Sequence, residues 1–157
     1  MIHEFQKDEY TISTDKAKLQ FDVIHGFLST SYWSPNIPME IVKRAAEHST
    51  TFGIYKHSLS IGEGWGGASQ IGYARIISDY ATFAYLADVF VLESERGKGI
   101  SKWLMQCITQ HPDLQGLRRW MLATRDAHGL YAQFGFTPLD NPDIMMQIAR
   151  PNIYNEK

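Results

Sequence analysis

Apolar and polar positions alternate in one half of the chain and follow helical spacing elsewhere. Between Thr51 and Leu92, three apolar runs rich in aromatic and β-branched residues are separated by glycine-rich or Ser-Asp turns, which predicts three strands. After Gly99, apolar residues recur with the spacing of one helix face: Ile100, Trp103, Leu104, Cys107 and Ile108. The pattern therefore predicts a strand that leads through a short turn into a helix packed on the sheet.

The remaining segments add helices and strands on both sides of this core. They are a hairpin around Lys7-Asp8, a helix from Thr14 or Asp15 to about Ser29, a helix from about Pro38 to His48, a strand RRWMLAT, a short helix AHGLYAQFG and two closing strands, FTPL and IMMQIAR. Strands and helices are intermixed along the sequence, and no repeat or linker interrupts them. The order predicts a single domain of the α/β or α+β class.

The glycines from Gly62 to Gly67, GEGWGG, match the dinucleotide-binding pattern G-x-G-x-x-G. That fingerprint requires a helix directly after the glycines, because the helix N-terminus binds the pyrophosphate. Residues 68–75 alternate like a strand instead. The segment is therefore interpreted as a hairpin loop.

Composition narrows the class of protein. The 157 residues carry a formal net charge of −2 without a basic run, so nucleic acid is not an expected partner. Apolar runs are too short to span a bilayer, and the polar start MIHEFQKDEY is unlike a signal peptide, so no membrane association is expected. A single cysteine, Cys107, is typical of a reducing compartment, and we expect a cytoplasmic protein. Six histidines show no metal-ligand spacing, so no metal site is predicted.

The turn Arg96-Gly97-Lys98-Gly99 is the strongest candidate for a binding site. Two glycines let a ligand approach the backbone closely, the helix start presents unpaired amides, and two basic side chains add positive charge. These features predict a phosphate or pyrophosphate site. The alternative is a plain glycine-rich turn with basic residues solvating a helix end. A nucleoside-triphosphate loop is excluded because G-x-x-x-x-G-K-[ST] is absent.

At this turn the sequence resembles the GNAT superfamily of N-acetyltransferases, whose signature is R/Q-x-x-G-x-G/A between a strand and the following helix. Here the signature corresponds to residues 96–101, RGKGIS, with Ser101 in place of the last Gly or Ala. The likeness continues to YAQFGF, Tyr131 to Phe136, and spans about residues 2–150. It implies one GNAT-like domain over residues 1–157, with a mixed, mostly antiparallel central sheet flanked by helices.

The resemblance also implies a cosubstrate, acetyl-CoA, which serves as acyl donor, and a role for each matching residue. The pyrophosphate would be held by Arg96 and by the amides of Gly97, Lys98, Gly99, Ile100 and Ser101. The strand residues Val89, Phe90 and Val91 would offer free backbone groups to the pantetheine arm, the acetyl carbonyl and the oxyanion that forms. Tyr131 matches the residue that can protonate the leaving thiolate.

The acceptor amine has to lose a proton, and Asp88 is the leading candidate for its base because it is an acid within an otherwise apolar strand. A structural ion pair with Arg75 is the alternative role for Asp88. Glu63, Asp79 and ordered water are weaker candidates for the base. The aromatic pair Tyr32-Trp33 lies between the first two helices, where the family often forms one wall of the acceptor pocket; plain packing is its alternative.

Taken together, the sequence predicts an acetyl-CoA-dependent N-acetyltransferase that acts on a primary amine of a small molecule or peptide. Two other functions stay open: a catalytically silent module that binds acyl-CoA, and a phosphate-binding protein unrelated to CoA. A homodimer is possible, since dimers are common in the superfamily.

Overall fold

The computed structural model describes residues 1–58 and 67–155. Within these residues, six strands are formed: β1 (Glu4–Lys7), β2 (Tyr10–Ser13), β3 (Thr50–His57), β4 (Ala68–Ser78), β5 (Phe83–Val91) and β6 (Arg119–Leu122). The same part of the chain forms four α-helices: α1 (Phe21–Leu28), α2 (Met39–Glu47), α3 (Ile100–Thr109) and α4 (His128–Ala132). Short 3-10 turns lie at residues 16–18, 93–95, 112–114 and 142–144.

The strands form one sheet in the order β1-β2-β3-β4-β5-β6. Each neighbouring pair is antiparallel except the last, because α3 crosses from the end of β5 to the start of a parallel β6. The sheet is therefore mixed and mostly antiparallel with helices packed on it, which confirms the predicted fold class.

Two clusters of buried apolar side chains lie against the sheet. In the larger one, Leu104 and Ile108 of α3 pack with strand residues such as Phe52 and Ile76. In the smaller one, side chains of α1 and α2 surround Tyr73 of β4 and Phe90 of β5. The helical spacing after Gly99 is thus explained, because the apolar face of α3 covers the sheet.

Most of the predicted elements are observed, but the first helix begins later than predicted. Asp15 caps the 3-10 turn at residues 16–18 through its carboxylate, and α1 begins only at Phe21. A strand, β4, follows Gly67, which confirms the exclusion of a dinucleotide fingerprint; the rest of GEGWGG lies outside the described residues.

The two closing strands, FTPL and IMMQIAR, were predicted wrongly. Residues 137–150 contain no strand, and a 3-10 turn at Pro142–Ile144 interrupts them. The segment has the composition of a strand, but a strand also needs a neighbour that supplies hydrogen bonds, and no described strand pairs with it.

None of the helices in residues 1–58 and 67–155 combines the length and the apolar character that crossing a bilayer would require.

Candidate active site

A cleft opens where β5 and β6 separate. The two strands pair only from Phe83 to Leu86, opposite Arg119 to Leu122, and β5 then continues to Val91 without a partner on that side. The cleft has a volume of about 1110 Å³. Its wall contains the predicted site residues Tyr32, Trp33, Asp88, Val89, Phe90, Val91, Arg96, Ser101 and Tyr131. Residues 97–100 do not belong to this wall; they form the turn that follows Arg96.

A bulge bends β5 where it borders the cleft. Tyr73 pairs with Phe90 and Arg75 with Ala87, so Ala74 faces two residues, Asp88 and Val89. Asp88 has a φ of 56°, a left-handed conformation that Asp tolerates better than most residues. The bulge turns the Asp88 side chain into the cleft and shifts the pairing register between β4 and the end of β5 by one residue.

Both carboxylate oxygens of Asp88 are occupied. Oδ2 accepts a hydrogen bond from Nε of Arg75 at 2.5 Å, in an ion pair whose side chains are mostly buried. Oδ1 accepts one from Nε1 of Trp33 at 2.9 Å. The ion pair with Arg75 that the sequence left open as an alternative is therefore present.

The turn before α3 presents a row of unpaired amides. Gly97 and Gly99 both have a φ of 77°, which favours glycine, and a Cβ built on either would meet nothing within 4 Å. No backbone hydrogen bond to a described residue is donated by the amides from Gly97 to Lys102. This arrangement can receive an anion with several oxygen atoms at the positive end of the helix.

The two basic side chains of the turn have different surroundings. Arg96 folds back on β5, where its Nε donates to the carbonyl of Val91 at 3.0 Å, and its side chain borders the cleft. Lys98 points to the other side, where its Nζ donates to Glu95 at 2.9 Å. Arg96 is thus the basic side chain of this turn that lies at the cleft.

Tyr131 of α4 lies in the cleft wall and is largely buried, at 7% exposure. Burial raises the pKa of its phenol to about 12, so the hydroxyl stays protonated at neutral pH. The ring packs edge-on against Phe136, with centroids 6.0 Å apart. Within the described residues, the hydroxyl makes no hydrogen bond and can serve as a proton donor.

Tyr32 and Trp33 connect the two sides of the cleft. Trp33 bonds Asp88 of β5, whereas the Tyr32 hydroxyl accepts from the backbone amide of Arg125, in the segment after β6, at 3.1 Å. The guanidinium of Arg125 stacks over the Tyr32 ring, 4.0 Å from its centroid. The loop between α1 and α2 therefore closes one end of the cleft, where the acceptor wall was predicted.

Sequence analysis missed two features of the site. Arg125 belongs to no recognisable sequence motif, and its position over Tyr32 depends on a contact between residues 93 positions apart. Glu95, next to the predicted turn, is buried and accepts hydrogen bonds from Tyr10, Lys56 and Lys98. An acid that precedes a basic glycine turn was the available signal for this second feature.

Other candidate residues have structural roles or lie elsewhere. Asp79 accepts hydrogen bonds from the Thr82 hydroxyl and from backbone amides 81–83 of its own turn, which lower the pKa of its carboxyl. Cys107 is buried in the α3 face, and burial raises the pKa of its thiol to about 11. Glu63 lies outside the described residues. Across residues 1–58 and 67–155, no group of three His, Cys, Asp or Glu side chains could hold a metal ion.

Comparison with known proteins identifies the class of protein to which this cleft belongs. The chain belongs to the GNAT acetyltransferase family: the family described as "Acetyltransferase (GNAT) domain" matches residues 60–138. A Gibberella zeae protein that is provisionally named an acetyltransferase is 34% identical over 140 residues, covering 81% of this chain and 78% of its own length.

Solved structures agree with this assignment. A Xanthomonas campestris protein of the GNAT family, provisionally named an acetyltransferase, has 47% identity and a TM-score of 0.82, over 95% of this chain and 99% of that one. A Clostridium acetobutylicum protein, a predicted acetyltransferase crystallised with acetyl-CoA, has the same fold at 14% identity and a TM-score of 0.61, over 95% and 96% of the two chains.

Proposed function

We propose that the protein is an acetyl-CoA-dependent N-acetyltransferase that acetylates a primary amine of a small molecule or peptide. The observation that carries the proposal is the row of unpaired amides from Gly97 to Lys102, placed beside the unpaired end of β5. Family membership supports it, and so does the acetyl-CoA bound to the Clostridium acetobutylicum protein of the same fold.

The turn before α3 would hold the diphosphate of acetyl-CoA. Amides of residues 97–101 donate to its oxygens, and Arg96 adds a charge-assisted contact while its Nε stays on Val91. The side chains of Phe90 and Ile100 are buried, so both residues contribute backbone groups only. The unpaired edge from Val89 to Val91 would bind the pantetheine arm along the strand, in the way that a neighbouring strand would.

Acetyl-CoA supplies a thioester carbon that a neutral amine can attack. The new C–N bond forms and the C–S bond breaks, while charge that develops on the carbonyl oxygen is stabilised by a backbone amide of the β5 edge. The Tyr131 hydroxyl donates its proton to the departing sulfur and recovers one from solvent afterwards, while the amine gives up a proton of its own.

We propose that this last proton leaves to water and that Asp88 positions the acceptor wall. Protonation of Asp88 would neutralise the carboxylate that pairs with the Arg75 guanidinium in a mostly buried ion pair, and it would leave that cation without its counter-charge. The two oxygens of Asp88 accept hydrogen bonds from Arg75 and from Trp33. Held in this way, Asp88 fixes Trp33 at the end of the cleft where the acceptor enters.

A second copy of the chain is the partner that we propose for the C-terminal segment. The side chains of Met146 and Ile148 are fully exposed, and the amides from Met146 to Ala149 donate no backbone hydrogen bond to a described residue. The outer edge of β6 has no partner among the described strands either. Exposed apolar side chains beside unpaired strand edges favour association.

Binding and turnover can be separated experimentally. Calorimetry with acetyl-CoA, followed by thiol-release assays against a panel of amines, should show saturable binding and amine-dependent release. Binding without release for every amine would support the silent acyl-CoA module instead. Absence of binding by both calorimetry and thermal shift would overturn the proposal, since a specific ligand stabilises the folded state by mass action.

A further inference from the structure

A buried carboxylate lies directly before the turn that we propose to bind the diphosphate. Glu95 is 6% exposed and ends the 3-10 turn at residues 93–95. Its Oε2 accepts hydrogen bonds from the Tyr10 hydroxyl at 2.5 Å and from Nζ of Lys98 at 2.9 Å, and its Oε1 accepts from Nζ of Lys56 at 2.9 Å. No step of the proposed reaction uses Glu95.

The partners of Glu95 come from different parts of the fold. Tyr10 of β2 and Lys56 of β3 are paired with each other in neighbouring strands, so the sheet fixes the positions of both residues. Lys98 belongs to the turn itself. Glu95 and Lys98 therefore enclose Arg96 and Gly97, and the contact between them ties both ends of this stretch to the sheet.

Such a tie matters because of the glycines. Gly97 and Gly99 adopt positive φ values and have open space around them, so nothing in their own packing holds their conformation. Glycine loses more backbone freedom on ordering than any other residue. A preformed turn therefore needs a restraint from outside, and restraints that order a binding loop in advance raise affinity.

The charges of the Glu95 cluster, which consists of Glu95, Tyr10, Lys56 and Lys98, favour a contact that persists at neutral pH. The hydrogen bonds from Tyr10, Lys98 and Lys56 lower the pKa of the Glu95 carboxyl to about 2, so it is ionised at neutral pH. The same carboxylate raises the pKa of both lysines. Lys98 is held at Glu95, so its contribution to the turn is the contact with Glu95.

We propose that Glu95 is a positioning residue that holds residues 96–99 in the conformation that binds the diphosphate of acetyl-CoA, with Tyr10 and Lys56 as its anchors on the sheet. This inference rests on the proposed function for its ligand. The ordering of the turn by Glu95 can be measured without any ligand, so the two can fail separately.

The test compares Glu95→Gln with Glu93→Gln in the full-length protein. Glu93 belongs to the same 3-10 turn but is exposed, and no described residue donates a hydrogen bond to its carboxylate, which makes it a matched control. We expect Glu95→Gln to raise the Kd for CoA roughly ten- to hundredfold, the range given by loss of a charge-assisted hydrogen bond. The KM for S-acetylpantetheine, which lacks the diphosphate, should stay unchanged, as should kcat at saturating acetyl-CoA. Glu93→Gln should match the wild type throughout.

Backbone NMR order parameters of the unliganded protein give the second readout. The order parameters of residues 96–101 should fall in Glu95→Gln relative to the wild type and to Glu93→Gln, while those of the strands stay unchanged. Tyr10→Phe removes one of the three donors and should show an intermediate effect, which keeps the test available if Glu95→Gln does not fold.

Two results would overturn the inference. One is unchanged order parameters of residues 96–101 in both Glu95→Gln and Tyr10→Phe. The other is an equal loss of affinity for CoA and for S-acetylpantetheine, which would indicate general damage to the fold. If the wild type binds no CoA, the proposed function fails and the ligand named in the inference fails with it, whereas the order parameters alone decide whether Glu95 orders the turn.

Discussion

The Tyr131 phenol combines three properties that a proton donor needs. It lies in the cleft wall, its hydroxyl is unbound within the described part of the chain, and burial keeps the pKa at about 12. A phenol of this pKa is still protonated at a pH at which an alkylamine, whose ammonium has a pKa of about 10, is already mostly neutral. Its availability as an acid should therefore not limit the reaction under alkaline conditions.

Tyr131→Phe should lower kcat roughly 10²- to 10⁴-fold, the range for loss of a general acid, and leave the Kd for acetyl-CoA nearly unchanged. The measurement is turnover at saturating substrates, with added viscogen to detect limiting product release. Tyr85→Phe, in another residue of the cleft wall, is the control and should keep its turnover. Wild-type turnover by Tyr131→Phe, with chemistry rate-limiting, would remove Tyr131 from the mechanism.

At the scale of elements, the junction of β5 and α3 determines where acetyl-CoA can bind. The junction combines the unpaired end of β5 with the left-handed turn that begins α3, where Gly99 is the residue before the first helical one. A side chain at Gly99 would be strained and would project into open space that the proposed ligand needs.

Gly99→Val should therefore abolish or severely weaken binding of acetyl-CoA while the fold persists. Gly116→Val is a matched control, because Gly116 also has a positive φ and open space at its Cβ position but lies outside the turn before α3. Both variants should lose similar stability in urea unfolding, and calorimetry should find weak binding only in Gly99→Val. Unchanged affinity in folded Gly99→Val would argue against the diphosphate site.

For the whole molecule, the Glu95 cluster contributes an acid-sensitive part of the stability. The folded-state pKa of Glu95 lies at about 2, below the ordinary glutamate value of 4.5. Between these values the unfolded chain binds more protons than the folded one, so this contribution is fully present above about pH 4.5 and is lost as pH falls toward 2.

The free energy of unfolding should thus differ between the wild type and Glu95→Gln at neutral pH, and this difference should shrink as pH falls from about 4.5 toward 2. Urea unfolding at several pH values measures it, with Glu93→Gln as the variant that should follow the wild type. A gap that stays constant with pH would show that the ionised carboxylate of Glu95 does not stabilise the fold.

Association through the C-terminal segment is a second prediction for the whole molecule. Met146→Glu combined with Ile148→Glu should convert a dimer into a monomer, because both side chains are exposed in the single chain and face a partner only on association. Gln147→Glu is the control, since adjacent residues of an extended chain point to opposite sides. Sedimentation of the wild type as a monomer at high concentration would contradict the proposal.

Sequence predicted best what depends on neighbours in the chain. The face of α3, the strands from Thr50 to Val91 and the glycine turn follow from local periodicity and backbone preference. The partners of Glu95 could not be predicted, because Tyr10 lies 85 positions away and meets it only through the sheet register. The closing strands failed for a related reason: local composition can favour an extended chain but cannot supply the strand that would pair with it.

The bulge in β5 also restricts which substitutions can occur at position 88 during evolution. Asp88 provides both the left-handed bend and the anionic partner of Arg75. Glycine or asparagine at this position would preserve the bend but remove the charge, whereas glutamate would preserve the charge and disfavour the bend. Asp88 therefore meets two separate requirements, one of the backbone and one of the ion pair. Few other residue types would meet both, so we expect substitutions at position 88 to be accompanied by a change of Arg75.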